Sequence, residues 1–331
     1  MYELTKHHYA NCPQYRKILD TLGFDPTIKQ AVEEMPFIPV RLFKDYELLS
    51  VEKSQIIKTV ISSGTSGHSV SRIFLDRITA TSQTRVLTKI VSSFTGTKRL
   101  PMLIIDTKSV IKNHKLFSAR GAGILGFSML GYDVTYALND DMQLNFDVME
   151  KFCDKHKGEN ILIFGFTYMI WEYFYKKLFD SGKQFALDNG ILIHGGGWKR
   201  LIAQAVNNDM FKRSLESVCG IRKVHNYYGM VEQTGSIFME CEAGYLHSSV
   251  FSDIIVRRAD FSVCNINETG LVELVSLLPV SYPGHILLTE DICEIVGEDD
   301  CFCGRFGKYF KIHGRIKSAE IRGCSDTYIS K

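Results

Sequence analysis

Net charge is nearly absent from this chain: 39 Lys and Arg stand against 37 Asp and Glu, leaving +2 over 331 residues. Such balance provides no basic footprint for a nucleic acid or an anionic membrane surface. Long apolar runs are missing too. The opening residues, Met1-Tyr2-Glu3-Leu4-Thr5-Lys6-His7-His8, lack the apolar stretch of a signal peptide. No segment approaches the ~18–20 apolar residues of a membrane span. The best of them, residues 161–171, runs out at Glu172 and the Lys176-Lys177 pair. Internal repeats, low-complexity tracts and obvious linkers are absent as well. Together these absences predict a cytoplasmic protein with no membrane span and no nucleic-acid partner.

What is present fits a globular protein: 45% of residues are hydrophobic and 23% charged, ordinary proportions for the class. The length supports one large α/β domain or two smaller ones, with ample core. Cysteines number nine, an odd count, and gather late at Cys293, Cys301, Cys303 and Cys324. In a cytosolic chain such a gathering points to metal or thiol chemistry before disulfides.

The first fifty residues read as helix and then loop, with Phe37-Ile38-Pro39-Val40 breaking the pattern. Residues 56–60 and 72–75 read as strands, 80–94 as a helix, and 101–106 as a compact apolar strand. Residues 121–131, rich in Gly on an apolar background, form either a close-packed helix or the wall of a slot for an apolar substrate. Strands over 161–166, 191–194 and 223–228 then alternate with helices over 168–179 and 207–218. That alternation predicts mostly parallel strands with covering helices. From residue 237 the pattern shortens to strands and turns, as at 254–256, 271–275 and 286–288, which predicts a smaller β-rich lobe.

Two loops carry chemistry. Residues 61–69, Ile-Ser-Ser-Gly-Thr-Ser-Gly-His-Ser, follow the 56–60 strand. Gly64 and Gly67 allow close backbone approach to a ligand, and exposed N–H groups with Ser62, Ser63, Thr65 and Ser66 would make an anion nest. A flexible Ser/Gly linker is the alternative, and no Lys-Ser/Thr pair completes a P-loop. The second loop is Asn226-Tyr227-Tyr228-Gly229-Met230-Val231-Glu232. A strand-end Tyr228-Gly229 sets an aromatic beside close backbone approach, which suits a purine. Glu232 offers a carboxylate for Mg²⁺; the other reading is a buried Tyr and a solvated Glu. Glycine turns at 64–67, 195–197 and 229 all fall at carboxyl ends of strands, where ligands of open parallel sheets sit.

The pieces come in a fixed order: Ser-Ser-Gly-Thr-Ser-Gly, a strand-end Gly-Gly, Asn-x-Tyr-Gly-x-x-Glu, Thr289-Glu290-Asp291, and Gly314-Arg315. This order resembles the adenylate-forming superfamily of acyl-CoA synthetases, luciferases and peptide-synthetase adenylation domains. Residues 37–44, 100–106, 164–166, 194–199, 228–233, 281–291 and 314–326 are more closely similar to the acyl-protein synthetase family. That family's best-known member activates fatty acid in the reductase complex of luminous bacteria. The resemblance implies a single catalytic domain over 1–331, like the large N-terminal domain of adenylate-forming enzymes. Residues 1–236 would be its nucleotide-binding α/β part, 237–312 its β-rich lobe and 313–331 a tail, with the superfamily's mobile C-terminal domain absent.

It also implies a reaction: ATP and a fatty or other carboxylic acid give acyl-adenylate and pyrophosphate. Ser63, Gly64, Thr65, Ser66 and Gly67 would hold the β- and γ-phosphates. Gly195 and Gly196 would line the adenine, Tyr228 would stack on it, and Asn226, Gly229 and Met230 complete that strand end. Glu232 would bind Mg²⁺, Asp291 the ribose hydroxyls, and Arg315 would lie near the ribose and α-phosphate. Two departures stand out: Val231 replaces a usual Thr, and Lys317-Ser318 replaces an acidic hinge. Cys324 fits the C-terminal cysteine that takes the acyl group as a thioester in this family, and Arg322 would favour its thiolate. An acyl reductase or other acyl acceptor is the implied partner. Coenzyme A as acceptor, as in phenylacetate-CoA ligases, is one alternative, and a nucleotide-binding scaffold without catalysis is another.

Cys241-x5-His247 and Cys301-x-Cys303 make up a Cys₃His set, the soft tetrahedral ligation that structural Zn²⁺ prefers. Its spacing fits no standard finger, Cys293 is a substitute ligand, and four ordinary buried residues are the alternative. Some phenylacetate-CoA-ligase-like relatives carry a similar set. Of the histidines, His194 precedes the glycine run and ends a strand, His68 touches phosphate or faces solvent, and His225 packs.

Overall fold

The computed structural model describes residues 1–62, 70–111 and 116–316. They form two compact units: Met1–Leu87 together with the described residues from Gly229 onward, and Thr88–Tyr228. The fold is mixed α/β, as the alternation of patterns predicts, with a parallel sheet in one unit and a mainly antiparallel one in the other.

In the 88–228 unit the sheet runs, in spatial order, Gly131–Leu138, Leu100–Thr107, Ile161–Phe166, Gly190–Gly195 and Lys223–Tyr228. All of these neighbours are parallel, and the register sets Ile163 beside both Leu103 and Leu192. The strands 161–166 and 190–195 are buried at every position. A strand covered on both faces has no solvent side, which is why these segments read as unbroken apolar runs rather than alternating ones. Helices Phe146–Lys155 and Asn208–Cys219 start where Asn145 and Asn207 accept the backbone N–H groups of Val148 and Met210. The Gly-rich stretch becomes the helix Ala119–Ser128. A Cβ on Gly123 would come within 3.2 Å of the Phe166 ring, and Phe127 stacks on Phe164 at 4.1 Å. Small residues here serve close packing of helix on strand, the first of the two uses the sequence allows.

In the other unit the antiparallel order is Ser252–Arg257, Thr269–Ser276, Ile286–Glu298, Lys308–Arg315, Leu246–His247, Phe238–Glu240. Ile56–Ile61 pairs antiparallel with Arg72–Asp76, on either side of the Ser/Gly loop. The N-terminal segment is built into this unit. Helices Tyr2–Asn11 and Pro13–Thr21 lead to Ile38–Pro39, which pairs in parallel with Leu287 and Leu288. Three histidines fasten the first helix and its partners. His8 Nε2 donates to the Pro279 carbonyl at 3.1 Å, so its Nδ1 accepts from Ser50 Oγ at 2.7 Å. His7 Nε2 donates to the Val280 carbonyl at 3.0 Å, and His285 Nε2 lies 2.9 Å from Thr5 Oγ1. Burial disfavours the charged form of His8 and His285, holding His8 down to about 3 and His285 well below the ordinary imidazole range. Among the described residues no helix is long and apolar enough to cross a membrane.

Candidate functional site

Glu232 sits on the short 3-10 turn Val231–Gln233, and every residue of that turn is buried. Gln233 locks it, its Nε2 donating to the carbonyls of Leu274 (3.2 Å) and Gly284 (2.8 Å). Gly235, at φ 87, could not carry a side chain: a Cβ there would lie 2.7 Å from the Gln83 backbone. The Glu232 carboxylate is only 7% exposed. Burial pushes its pKa up, while a hydrogen bond from Ser71 and the charge of Arg315 oppose that and Asp291 adds to it. A buried acidic oxygen with a nearby second carboxylate is a hard-ligand environment that suits Mg²⁺.

Asp291 and Arg315 face one another across the 286–298 and 308–315 strands, as register partners. Arg315 Nε donates to Asp291 Oδ1 at 2.9 Å, and Thr289 Oγ1 accepts the Asp291 backbone N–H at 3.1 Å. Glu232, Asp291 and Arg315, far apart in sequence, thus share one electrostatic neighbourhood in the first unit. Gly229 and Met230 belong to the same unit and lead into the Glu232 turn.

The second unit holds the remaining candidates at the carboxyl ends of neighbouring parallel strands. Gly195 closes the 190–195 strand and pairs with Tyr227, and His194 pairs with Asn226. A Cβ on Gly195 would lie 2.5 Å from the Tyr227 ring, so glycine is required there by a flat aromatic face. Gly196 follows at φ 78. The ring against Gly195 is Tyr227, which also lies 5.3 Å from Phe127, whereas Gly196 faces the Phe166 ring; Tyr228 ends the strand. His194 is a buried packing residue: Nδ1 meets Thr167 Oγ1 at 2.9 Å, the ring lies on Phe211 at 4.6 Å, and burial holds its pKa down to about 3. His225 packs edge-on against Phe94 at 5.1 Å.

Cys241, His247, Cys301 and Cys303 converge, with one ligand atom of each within 4.8 Å of all the others. Pairing of Leu246–His247 with Phe310 and Tyr309 brings the two sequence halves together. Tight turns present the thiols: Gly244 N–H donates to the Cys241 carbonyl (3.0 Å) and Gly304 N–H to that of Cys301 (2.9 Å). The Cys241–Cys301 sulfurs are 3.9 Å apart, and Cys303 Sγ is 3.4 Å from His247 Nε2. A zinc tetrahedron with ~2.3 Å Zn–S and ~2.0 Å Zn–N bonds has edges of roughly 3.5–3.8 Å, so the residues fit that ion. Cys293 is buried and lies outside this set.

Ser63, Gly64, Thr65, Ser66, Gly67 and His68 lie outside the described residues, as do Lys317, Ser318, Arg322 and Cys324. Sequence reasoning missed Ser71, Tyr227 and Tyr282. Ser71 pairs with Ser62 across the ends of the Ser/Gly loop, its N–H donating to Ser62 Oγ at 2.9 Å, a role that a second serine at the loop's far end could have signalled. Tyr282 acts across fifty residues of sequence, where no local pattern reports contact.

Over residues 1–331 the chain matches the family described as "Acyl-protein synthetase, LuxE". It is 24% identical over 344 residues to the long-chain-fatty-acid–luciferin-component ligase of Vibrio harveyi, covering 97% of this chain and 84% of that protein. The fold is similar to that of 2-hydroxyisobutyryl-CoA ligase in its postadenylation state, with a TM-score of 0.70 at 14% identity over 95% of this chain. The chain spans 66% of that ligase's length. ATP-bound MatB from Rhodopseudomonas palustris shares the fold at a TM-score of 0.51, with 14% identity over 81% of this chain and 49% of that one.

Proposed function

The chain belongs to the acyl-protein synthetase family, and from that premise we propose that it activates a long-chain fatty acid with ATP and passes the acyl group to a thiol. The observation that carries this reading is the buried Glu232 carboxylate in the same neighbourhood as the Asp291–Arg315 pair. In the first step a carboxylate oxygen attacks the α-phosphorus, the bond to the bridging oxygen breaks, and pyrophosphate leaves. In the second a thiolate attacks the acyl carbon and expels AMP. Little covalent chemistry falls to the protein in the first step, so positioning and charge compensation dominate. Bound Mg²⁺ would supply positive charge against the phosphate oxygens. Glu232 would hold that ion, Asp291 would accept the ribose hydroxyls, and Arg315, already oriented by Asp291, would offset α-phosphate charge. Ser63–Gly67 would take the outer phosphates and the 195–196 and 226–230 segments the adenine.

Cys324 is the thiol this reading assigns as acyl acceptor, with an acyl reductase or a similar acceptor protein as the partner. The Vibrio harveyi relative's name, joining a long-chain fatty acid to a luciferin component, supports both the substrate class and the existence of a partner. Zn²⁺ on Cys241, His247, Cys301 and Cys303 would complete a closed, structural site that staples the 241–247 and 301–310 segments.

Fatty-acid-dependent ATP–pyrophosphate exchange tests the first step. Exchange should appear with long-chain acids and fall at least ~100-fold in Glu232→Gln, the loss expected when a metal carboxylate is neutralised. No exchange with any acid from acetate to long-chain fatty acids, with an acceptor protein supplied, would favour a nucleotide-binding scaffold instead.

A further inference from the structure

Three successive glycines, Gly195-Gly196-Gly197, carry the chain off the carboxyl end of the 190–195 strand. Gly196 and Gly197 are exposed, and Gly196 takes a positive φ of 78. A run without side chains cannot anchor itself, so its position depends on what grips its backbone. One grip comes from the neighbouring strand. Phe166 is the register partner of Gly195, and Thr167 follows it as the first residue of a short helical turn. Thr167 Oγ1 donates to the Gly195 carbonyl at 3.2 Å.

The same hydroxyl lies 2.9 Å from His194 Nδ1. A hydroxyl has one proton, and Thr167 gives it to Gly195. It therefore accepts from His194, which places the histidine proton on Nδ1 and leaves Nε2 a bare acceptor. Nε2 is buried, with no hydrogen-bond partner among the described residues, and Phe211 lies against the ring at 4.6 Å. Leaving a buried acceptor unpaired is costly, and an apolar ring would fill the same space without that cost. What the imidazole adds over such a ring is the Nδ1–H that aims the Thr167 hydroxyl. Both side chains are buried, where these bonds are stronger than in water.

We propose that Thr167 is a positioning residue for recognition of the nucleotide base: aimed by His194, it holds the Gly195 carbonyl and with it the glycine turn. The inference rests on the reading in which Gly195 and Gly196 line the adenine. It assigns neither Thr167 nor His194 a contact with the nucleotide. Grip on the base is the same before and during attack at the α-phosphorus, so its loss should raise KM for ATP and spare kcat. Pyrophosphate has no base, and its KM is the internal control.

Fatty-acid-dependent ATP–pyrophosphate exchange by the full chain reads these constants in Thr167→Val, Thr167→Ser, His194→Phe and Gly196→Ala, with circular dichroism to confirm folding. Thr167→Val should raise KM for ATP about tenfold, the scale of one lost hydrogen bond, and His194→Phe about threefold. KM for pyrophosphate and kcat should stay within about twofold, and Thr167→Ser, which keeps the hydroxyl, within about twofold of the parent throughout. A folded Val or Phe variant with unchanged KM for ATP would overturn the proposal. So would a parallel rise in both Michaelis constants, or a Ser variant as impaired as Val. Gly196→Ala tests the underlying reading separately, since it sets a Cβ 3.2 Å from the Phe166 ring at a strained φ. If that variant leaves KM for ATP unchanged, the adenine does not lie on this turn, and the inference falls with that reading. A parent protein without exchange would remove both.

Discussion

Lowering the pH from 7.5 to 5.5 should loosen the N-terminal helices through His8 and His285. Both rings are buried between the first helix and the 279–285 segment, 4.7 Å apart, with His7, Tyr15 and the N-terminal amine facing them. Burial holds His8 down to about 3 and His285 well below its ordinary value. Above about pH 6.5 the folded and unfolded chains both carry these rings neutral, and nothing is lost. Below it the unfolded chain binds protons that the folded chain refuses. Each ring then lowers stability by about 1.4 kcal/mol per pH unit until the folded pKa is reached. By pH 5.5 the pair should remove about 3 kcal/mol, a large fraction of a stability of ~5–15 kcal/mol. Urea unfolding at pH 7.5, 6.5 and 5.5, followed in parallel for the parent and for His8→Gln, would measure it. The variant should start weaker, because the Ser50 and Pro279 bonds are lost, yet its stability should fall less steeply with pH, by one ring's share. Parallel slopes for the two proteins, or a parent curve flat to within about 0.5 kcal/mol, would refute the reasoning.

Two further outcomes follow from the site. Metal analysis of protein purified without chelator should find one zinc per chain; Cys301→Ser should lower that content and the midpoint of thermal unfolding together, and metal-free parent protein would remove the zinc assignment. Labelled fatty acid with ATP should leave label on the protein that neutral hydroxylamine removes, since thioesters yield to amines far faster than amides. Cys324→Ser should abolish that label while sparing ATP–pyrophosphate exchange; full labelling of the variant, or efficient transfer to free coenzyme A, would reassign the acceptor.

Much of the fold was legible because it follows local rules. Unbroken apolar runs at 161–166 and 190–195 announce strands covered on both faces, whereas the 146–155 helix went unread although Asn145 caps it. The Cys₃His set was readable from residue type alone, although only the pairing of Leu246–His247 with the 308–315 strand explains how its halves meet. Glu232, Asp291 and Arg315 could be named from ordered motifs, but not the buried partners that hold them. Tyr282 Oη reaches the Glu232 carbonyl across fifty residues, and Thr5 reaches His285 across 280. Such contacts depend on how elements pack, which leaves no periodicity in the chain. The same holds for Tyr227, whose ring lies against Gly195 through pairing of neighbouring strands that no local pattern announces.

The most direct test of acyl-adenylate formation is isotopic. Fatty acid labelled with ¹⁸O in both carboxylate oxygens, incubated with ATP, Mg²⁺ and the full chain, should return AMP carrying one ¹⁸O. The attacking carboxylate oxygen stays on the α-phosphorus when the thiol takes the acyl group. Label found in inorganic phosphate instead, with ADP as the nucleotide product, would mean activation through an acyl phosphate and would contradict the account.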